Sequence, residues 1–281
     1  MDHIRACNTW DFSGYRGFRV EGARIGWVRH GFAEALEPYA DAVTVGADGV
    51  YLAGRFPDAA GRSRAVADLI GRLAADGLVP SPRGELYPAL PAWGAEPLFA
   101  IDRAAVAHFG ITAYGVHVNG YVRRPDGGVD LWIARRARDR SVAPGKLDNL
   151  IAGGQPVGLS LRRNLVKEAW EEAAIGPDLA ARAVPAGAVT YMMDTPAGLK
   201  VDGLFLYDLE LDPGFTPRNT DGEVESFERM PWERVAEIVR DTDEFKFNCN
   251  LVIIDFLIRH GLITPDHPDY LALAAGLRRW G

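Results

Sequence analysis

The apolar and polar positions of this chain follow two regimes that change over near residue 112. In the first, residues 31–40 and 62–76 repeat their apolar positions at helical spacing. The second of these stretches places Val66, Leu69, Ile70 and Leu73 on one side and stops at Gly77. Between them, Val43–Leu52 alternates about an Asp48-Gly49 pair, which predicts a hairpin. Prolines at 80, 82, 88, 91 and 97 then mark an extended connection, and Asp102 is placed to cap a short helix ending at Gly110. Residues 1–112 therefore read as a small α+β unit.

From Tyr114 onward the alternation is that of strands. Tyr114–Val122 and Val129–Ala134 flank an Asp126-Gly127-Gly128 turn, and Leu147–Ala152 leads into a helix. Val189–Met193, Leu204–Leu211 and Val224–Met230 read as further strands. Helices follow at about 232–240 and 248–260, the latter ended by Gly261, with an amphipathic tail from Asp269. Strands mixed with a few helices suit an α/β domain over 113–281, a mixed sheet covered on both faces.

The helix after Leu147–Ala152 carries the chemistry. Between Gly153 and Ile175 the chain reads GGQPVGLSLRRNLVKEAWEEAAI, with Ser160 as its N-cap. Glu168, Glu171 and Glu172 stand at i, i+3 and i+4, within roughly 100° of one helix face. Like charges so placed repel, and a cation between them resolves the conflict. Gly153 and Gly154 lack a Cβ, so a loop there can bring its backbone close to a ligand. This pattern predicts a hard-metal site with oxygen ligands, suited to Mg²⁺ or Mn²⁺. A solvated helix rich in glutamate would explain EAWEEA alone; the wider spacing favours the metal.

That wider spacing resembles the signature of the Nudix hydrolases, which runs Gly, five residues, Glu, seven residues, Arg-Glu-apolar-any-Glu-Glu-any-Gly-apolar. Gly153, Glu168, Ala169, Glu171, Glu172 and Ile175 fall in register. Leu159 stands where the family has its first Glu, Lys167 replaces Arg, and Ala174 replaces Gly. Lys167 keeps the positive charge without the planar fork, and is expected to organise the glutamates. The flanking runs GVHVNGYV (Gly115–Val122), LWIARR (Leu131–Arg136), PGKLDNLIAGG (Pro144–Gly154), DGEVESF (Asp221–Phe227) and FKFNCNLVIIDFLIRHG (Phe245–Gly261) are similar to one Nudix subfamily. Its members carry an extra N-terminal domain and include proteins found beside fungal thiamin pyrophosphokinase. The resemblance implies an α/β/α sandwich and Mg²⁺-dependent cleavage of a diphosphate bond. Thiamin diphosphate or its oxidised forms are the implied substrates, cut to the monophosphate and phosphate. Metal ligation falls to Glu168, Glu171 and Glu172, with Glu168 and Glu171 also expected in catalysis.

A diphosphate calls for basic groups nearby. Arg135 and Arg136 end a strand and must point to opposite faces, so one is expected at the phosphates; Lys146 is a weaker candidate. His117 and Asn119 alternate on one strand face and are candidate substrate contacts, with Trp132 as a possible stacking wall. In several Nudix enzymes an acid outside the signature serves as metal ligand or general base. Glu223 is the first choice here, ahead of Glu225. Lys246, Asn248 and Asn250 open the late helix, where an anion would be favoured.

Composition narrows the class. The chain has 281 residues, 48% hydrophobic and 25% charged, which describes an ordinary globular protein of one large or two modest domains. A net charge of −7, from 31 basic and 38 acidic residues, argues against a nucleic-acid partner. Cys7 and Cys249 form neither a disulfide framework nor a metal knuckle, and no secretory signal or membrane span is expected. A cytoplasmic protein acting on a small diphosphate follows as the expectation; oligomeric state is not legible. Three alternatives differ in class: hydrolysis of a nucleoside diphosphate-linked substrate, an isopentenyl-diphosphate-isomerase-like reaction, and a non-catalytic diphosphate-binding module. The isomerase chemistry uses a cysteine, and neither cysteine lies in a matching motif. The binding module arises when signature glutamates are lost, and here all three remain.

Overall fold

The computed structural model describes residues 1–279. After a short helix α1 (Asp2–Ala6), β1 (Tyr15–Val20) and β2 (Ala23–Arg29) form a hairpin. Its turn, Glu21-Gly22, has φ of 49° and 83°, the left-handed values that a tight hairpin requires. Helix α2 (His30–Ala35) is shorter than the expected 31–40, because Pro38 opens a separate 3₁₀ turn, Glu37–Tyr39. The 43–52 hairpin forms as β3 (Val43–Val45) and β4 (Gly49–Leu52), and the sheet runs β2-β1-β4-β3. Helix α3 (Ala59–Ala75) starts at Asp58, whose side chain accepts the Gly61 N–H at 2.6 Å. It buries Val66, Leu69, Ile70 and Leu73, the side chosen by the sequence pattern.

The proline-rich stretch departs from expectation. It is not a plain connection but holds a third hairpin, β5 (Leu86–Ala89) with β6 (Phe99–Asp102). Pro88 is tolerated there because a two-stranded ribbon has edges that need no N–H donor. Asp102 accepts from the Ala104, Arg83 and Gly84 amides at 2.8–3.1 Å, starting a 3₁₀ turn (Arg103–Ala105) and tying down the preceding loop.

The second sheet runs β11 (Val184–Thr195), β12 (Gly198–Glu210), β7 (Thr112–Arg123), β8 (Val129–Arg136) and β13 (Val224–Pro231). Strands β7 and β12 are parallel and the other neighbours antiparallel, so the sheet is mixed. The expected strand 147–152 is split. β9 (Leu147–Asp148) pairs with β8 and β10 (Ile151–Gly154) with β7, so the chain changes partner between them.

Helix α4 (Leu161–Ala173) lies on one face, where Leu165, Ala169 and Ala173 pack against Val116, Val118 and Leu150. The short α5 (Pro177–Ala180) follows it. The opposite face is covered by α6 (Trp232–Asp241), α7 (Cys249–Arg259) and α8 (Tyr270–Gly276), packed on Leu131, Ile133, Leu204 and Leu206. The alternation within β12 explains the two layers: Leu204 and Leu206 face one side, Tyr207 and Leu209 the other. The α/β/α sandwich with a mixed sheet therefore forms, with a small α+β unit ahead of it.

Candidate active site

Helix α4 presents its glutamates to the last residues of β10. Ser160 caps it, accepting the Arg163 N–H at 3.3 Å. Ala174 ends it in the left-handed conformation, φ 53° and ψ 32°. Glycine takes that conformation without a steric penalty, so alanine here costs about 1–2 kcal/mol; the position demands more than a fit to a helix end.

Gly153 and Gly154 are not in a tight loop, as the sequence led us to expect. They close β10, paired with Val116 and Gly115 of β7, and the turn to α4 is made at Gly158, with φ 83°. Their missing Cβ atoms matter for another reason. A Cβ on Gly153 would lie 2.2 Å from the Glu168 carboxyl carbon, and one on Gly154 would lie 1.8 Å from the Tyr87 hydroxyl. The first glycine seats a signature glutamate; the second seats a tyrosine from the β5–β6 hairpin.

Glu172 is buried and accepts the Ala152 N–H at 2.8 Å. Burial, reinforced by the charges of Glu168 and Asp148, pushes its carboxyl up to about 8. Burial also raises Glu168, against the pull of Lys167. Lys167 Nζ bridges the other two acids, at 3.1 Å from Glu168 and 2.6 Å from Glu171. These three carboxylates line a cavity of about 360 Å³ together with Asp221 and Glu223. Acidic residues and Lys or Arg are equal in number around it, seven of each. Even with Glu172 uncharged the walls offer a diphosphate little net positive charge, and a divalent cation would supply more. Three carboxylates on one face of α4 that line one cavity, with Glu168 seated over Gly153, suit a hard cation.

The other candidates divide. Arg136 and His117 line the cavity. Arg136 donates to Asp148 at 2.7 Å and to the Val142 carbonyl at 3.1 Å. His117 bonds through Nδ1 to Asn149 at 2.8 Å, and burial together with Lys246 lowers it to about 4, so it is neutral near pH 7. Arg135 and Asn119 do not line the cavity, which corrects the expectation of substrate contact. Arg135 points to the other face and donates to the Gly145 carbonyl at 2.9 Å. Asn119 is sealed inside, bonded to Asp208 at 3.1 Å and to Asn149 at 3.2 Å. Trp132 is core.

Glu223 reaches the cavity and pairs with Arg140. Glu225 occupies a β-bulge between Val224 and Ser226, which turns it away toward Arg138. Lys146 donates to the Asp243 carbonyl outside the cavity, whereas Lys246 lines it with its ammonium 3.5 Å from Asp148. His117, Asp148 and Cys249 bring ligand atoms within 4.8 Å of one another. Arg136 and Lys246 already meet the Asp148 charge, and Cys249 Sγ lies 2.6 Å from Asp148 Oδ1. The trio therefore reads as a buried hydrogen-bond network. Neither Cys7 nor Cys249 lines the cavity, which removes the residue that the isomerase reading needs.

The chain is 47% identical over 263 residues to Nudix hydrolase 24, chloroplastic, of Arabidopsis thaliana, covering 93% of this chain and 72% of that protein. It is 45% identical to Nudix hydrolase 20, chloroplastic, of the same plant, covering 99% and 77% respectively. The chain belongs to the Nudix hydrolase family. It is a Nudix-type diphosphate hydrolase, and residues 1–113 match a model described as a domain of unknown function, DUF4743. Among solved structures, the NUDIX domain of Shewanella oneidensis NrtR complexed with ADP ribose is similar over 55% of this chain and 91% of that one. Its TM-score is 0.42 at 13% identity.

The expected cytoplasmic location does not stand, since both Arabidopsis relatives are named chloroplastic. Among the described residues no helix is long and apolar enough to cross a membrane. The sequence reading of this Nudix hydrolase missed one wall of its cavity. Glu85, Tyr87 and Arg103 line it from the β5–β6 hairpin and its flanks, and the short apolar run Leu86-Tyr87-Pro88-Ala89 was the signal, masked by its proline.

Proposed function

We propose that this Nudix hydrolase is Mg²⁺- or Mn²⁺-dependent and cleaves thiamin diphosphate, preferably in an oxidised form, to the monophosphate and phosphate. The observation that carries the metal is the shared α4 face. Glu168, Glu171 and Glu172 share that face and line one cavity, with Glu168 seated over Gly153 and little net charge on the walls. These three residues would hold the ion, which when bound neutralises charge at phosphorus and acidifies a water. Glu223, or one of the signature glutamates, takes the proton from the attacking water as its oxygen attacks phosphorus. The bridging P–O bond breaks and the monophosphate leaves. Lys246 and Arg136 hold phosphate oxygens on the far wall. His117, neutral and fixed by Asn149, orients by hydrogen bonding rather than by charge. Residues 1–112 form a unit that closes one side over the substrate.

Lys167 sets the spacing of Glu168 and Glu171. Lys167→Ala is expected to lower kcat by about 10- to 100-fold, the usual cost of losing a group that orients metal ligands, with an unchanged melting temperature. Lys167→Arg restores the family's residue and keeps or raises turnover. Wild-type kcat in the alanine variant would show the lysine to be a solvated charge.

The thiamin assignment rests on the flanking segments, because the signature reads only the diphosphate and its metal. Its test compares kcat/KM for oxidised thiamin diphosphates with ADP-ribose and dinucleotides, all in Mg²⁺. We expect at least tenfold preference for the thiamin compounds, about 1.4 kcal/mol in transition-state binding. A tenfold preference for a nucleotide would defeat it and leave the hydrolase.

A further inference from the structure

The β5–β6 hairpin is built into the active site. Its Tyr87 ring is buried and places its hydroxyl where a Cβ of Gly154 would be. Its Leu86 carbonyl accepts the Val157 N–H at 2.9 Å, so its backbone is stitched to the turn that enters α4. The register Leu86 to Asp102 brings Glu85 and Arg103 side by side at the open end of the ribbon. There Arg103 also donates its backbone N–H to the Glu85 carbonyl at 2.9 Å.

Arg103 is placed like a ligand-binding arginine. Its guanidinium carries five N–H donors, and among the described residues it makes one hydrogen bond, to Glu85 Oε2 at 2.7 Å. The side chain is 36% exposed, and it lines the cavity that also holds Glu168, Glu171 and Glu223. Burial works against its charge, but Tyr87, Glu85 and Glu223 keep it cationic. Asp102 clamps the loops on both sides of it, so little freedom is lost when the remaining donors are used. Arg136, which also lines the cavity, already uses two of its donors on Asp148 and Val142, one more than Arg103 uses.

We propose that Arg103, oriented by Glu85, binds a phosphate of the substrate across the cavity from the α4 glutamates, so that the first unit supplies part of the active site. A forked guanidinium suits two phosphate oxygens at once. The proposal rests on the diphosphate-hydrolase reading above, and its test separates the two. Titration calorimetry on the full chain measures Mn²⁺ alone, then methylenediphosphonate with and without Mn²⁺. Arg103→Ala is expected to weaken phosphonate binding at least tenfold while Mn²⁺ affinity stays within twofold. Arg103→Lys should fall between, because charge is kept and the fork is lost. Phosphonate affinity within twofold of wild type in folded Arg103→Ala, or in Arg103→Lys together with Arg103→Gln should the alanine variant not fold, overturns the proposal. Failure of the wild type to bind Mn²⁺ would defeat the metal reading instead, and the metal-free phosphonate titrations would still decide Arg103.

Discussion

Glu171→Gln, Glu172→Gln loses measurable Mn²⁺ binding and lowers hydrolysis by on the order of 10³-fold, roughly 4 kcal/mol of transition-state stabilisation. The loss follows from geometry: two of three carboxylates on one face of α4 become amides, which keep the shape and remove the charge that binds a hard cation. Glutamine leaves the fold in place, because Glu172 is buried and held in its protonated form without a counter-charge. Isothermal titration with Mn²⁺ is the direct measurement, and unchanged affinity in the double variant would sink the metal assignment. The same titration in wild type carries a pH dependence of known sign. The Glu172 carboxyl sits at about 8 in the metal-free protein, so below that pH the metal must displace a proton. Affinity should rise by up to about tenfold per pH unit between 6 and 8 and flatten above. The metal-free fold shows the converse. A carboxyl raised above its unfolded value stabilises at low pH, and that stability is lost as pH climbs toward 8.

Gly153→Ala is expected to lower kcat/KM by about 10²-fold, near 2.7 kcal/mol, with a small change in melting temperature. Its new Cβ would stand 2.2 Å from the Glu168 carboxyl carbon, a contact no structure can hold. The atom that must give way is the end of a flexible side chain, so the backbone pairing of β10 with β7 survives and the carboxylate is displaced. A displacement of this kind strikes the metal geometry and spares the core, the reverse of an ordinary packing defect. Kinetics and thermal melting on the same preparation check it. Full activity in the folded variant would show that the Glu168 position is not required.

Much of the site was legible because it is local. Glu168, Glu171 and Glu172 share a helix face by the 3.6-residue repeat alone, and Lys167 reaches two of them from one and four residues away. The hairpin at 43–52, the buried side of α3 and the sandwich sheet follow from periods that neighbouring residues set among themselves. Arg135 and Arg136 show where that reasoning stops. Alternation dictates that they diverge, and only the pairing of β8 with β9 and β13 decides that Arg136 faces the cavity. Asn119 was placed correctly on the face of His117, yet a distant partner, Asp208, holds it in the interior.

The sequence by itself determined the glutamate-bearing helix, its cap and the main strands of the sandwich sheet, since each depends on residues a few positions apart. The tertiary structure alone decided what those glycines accommodate and what closes the cavity. Tyr87 meets Gly154, and Arg103 lines the same cavity as Glu168, across separations that no periodicity spans. Such contacts arise when two folded surfaces meet, and their geometry depends on every strand pairing between them rather than on the spacing of residues along the chain.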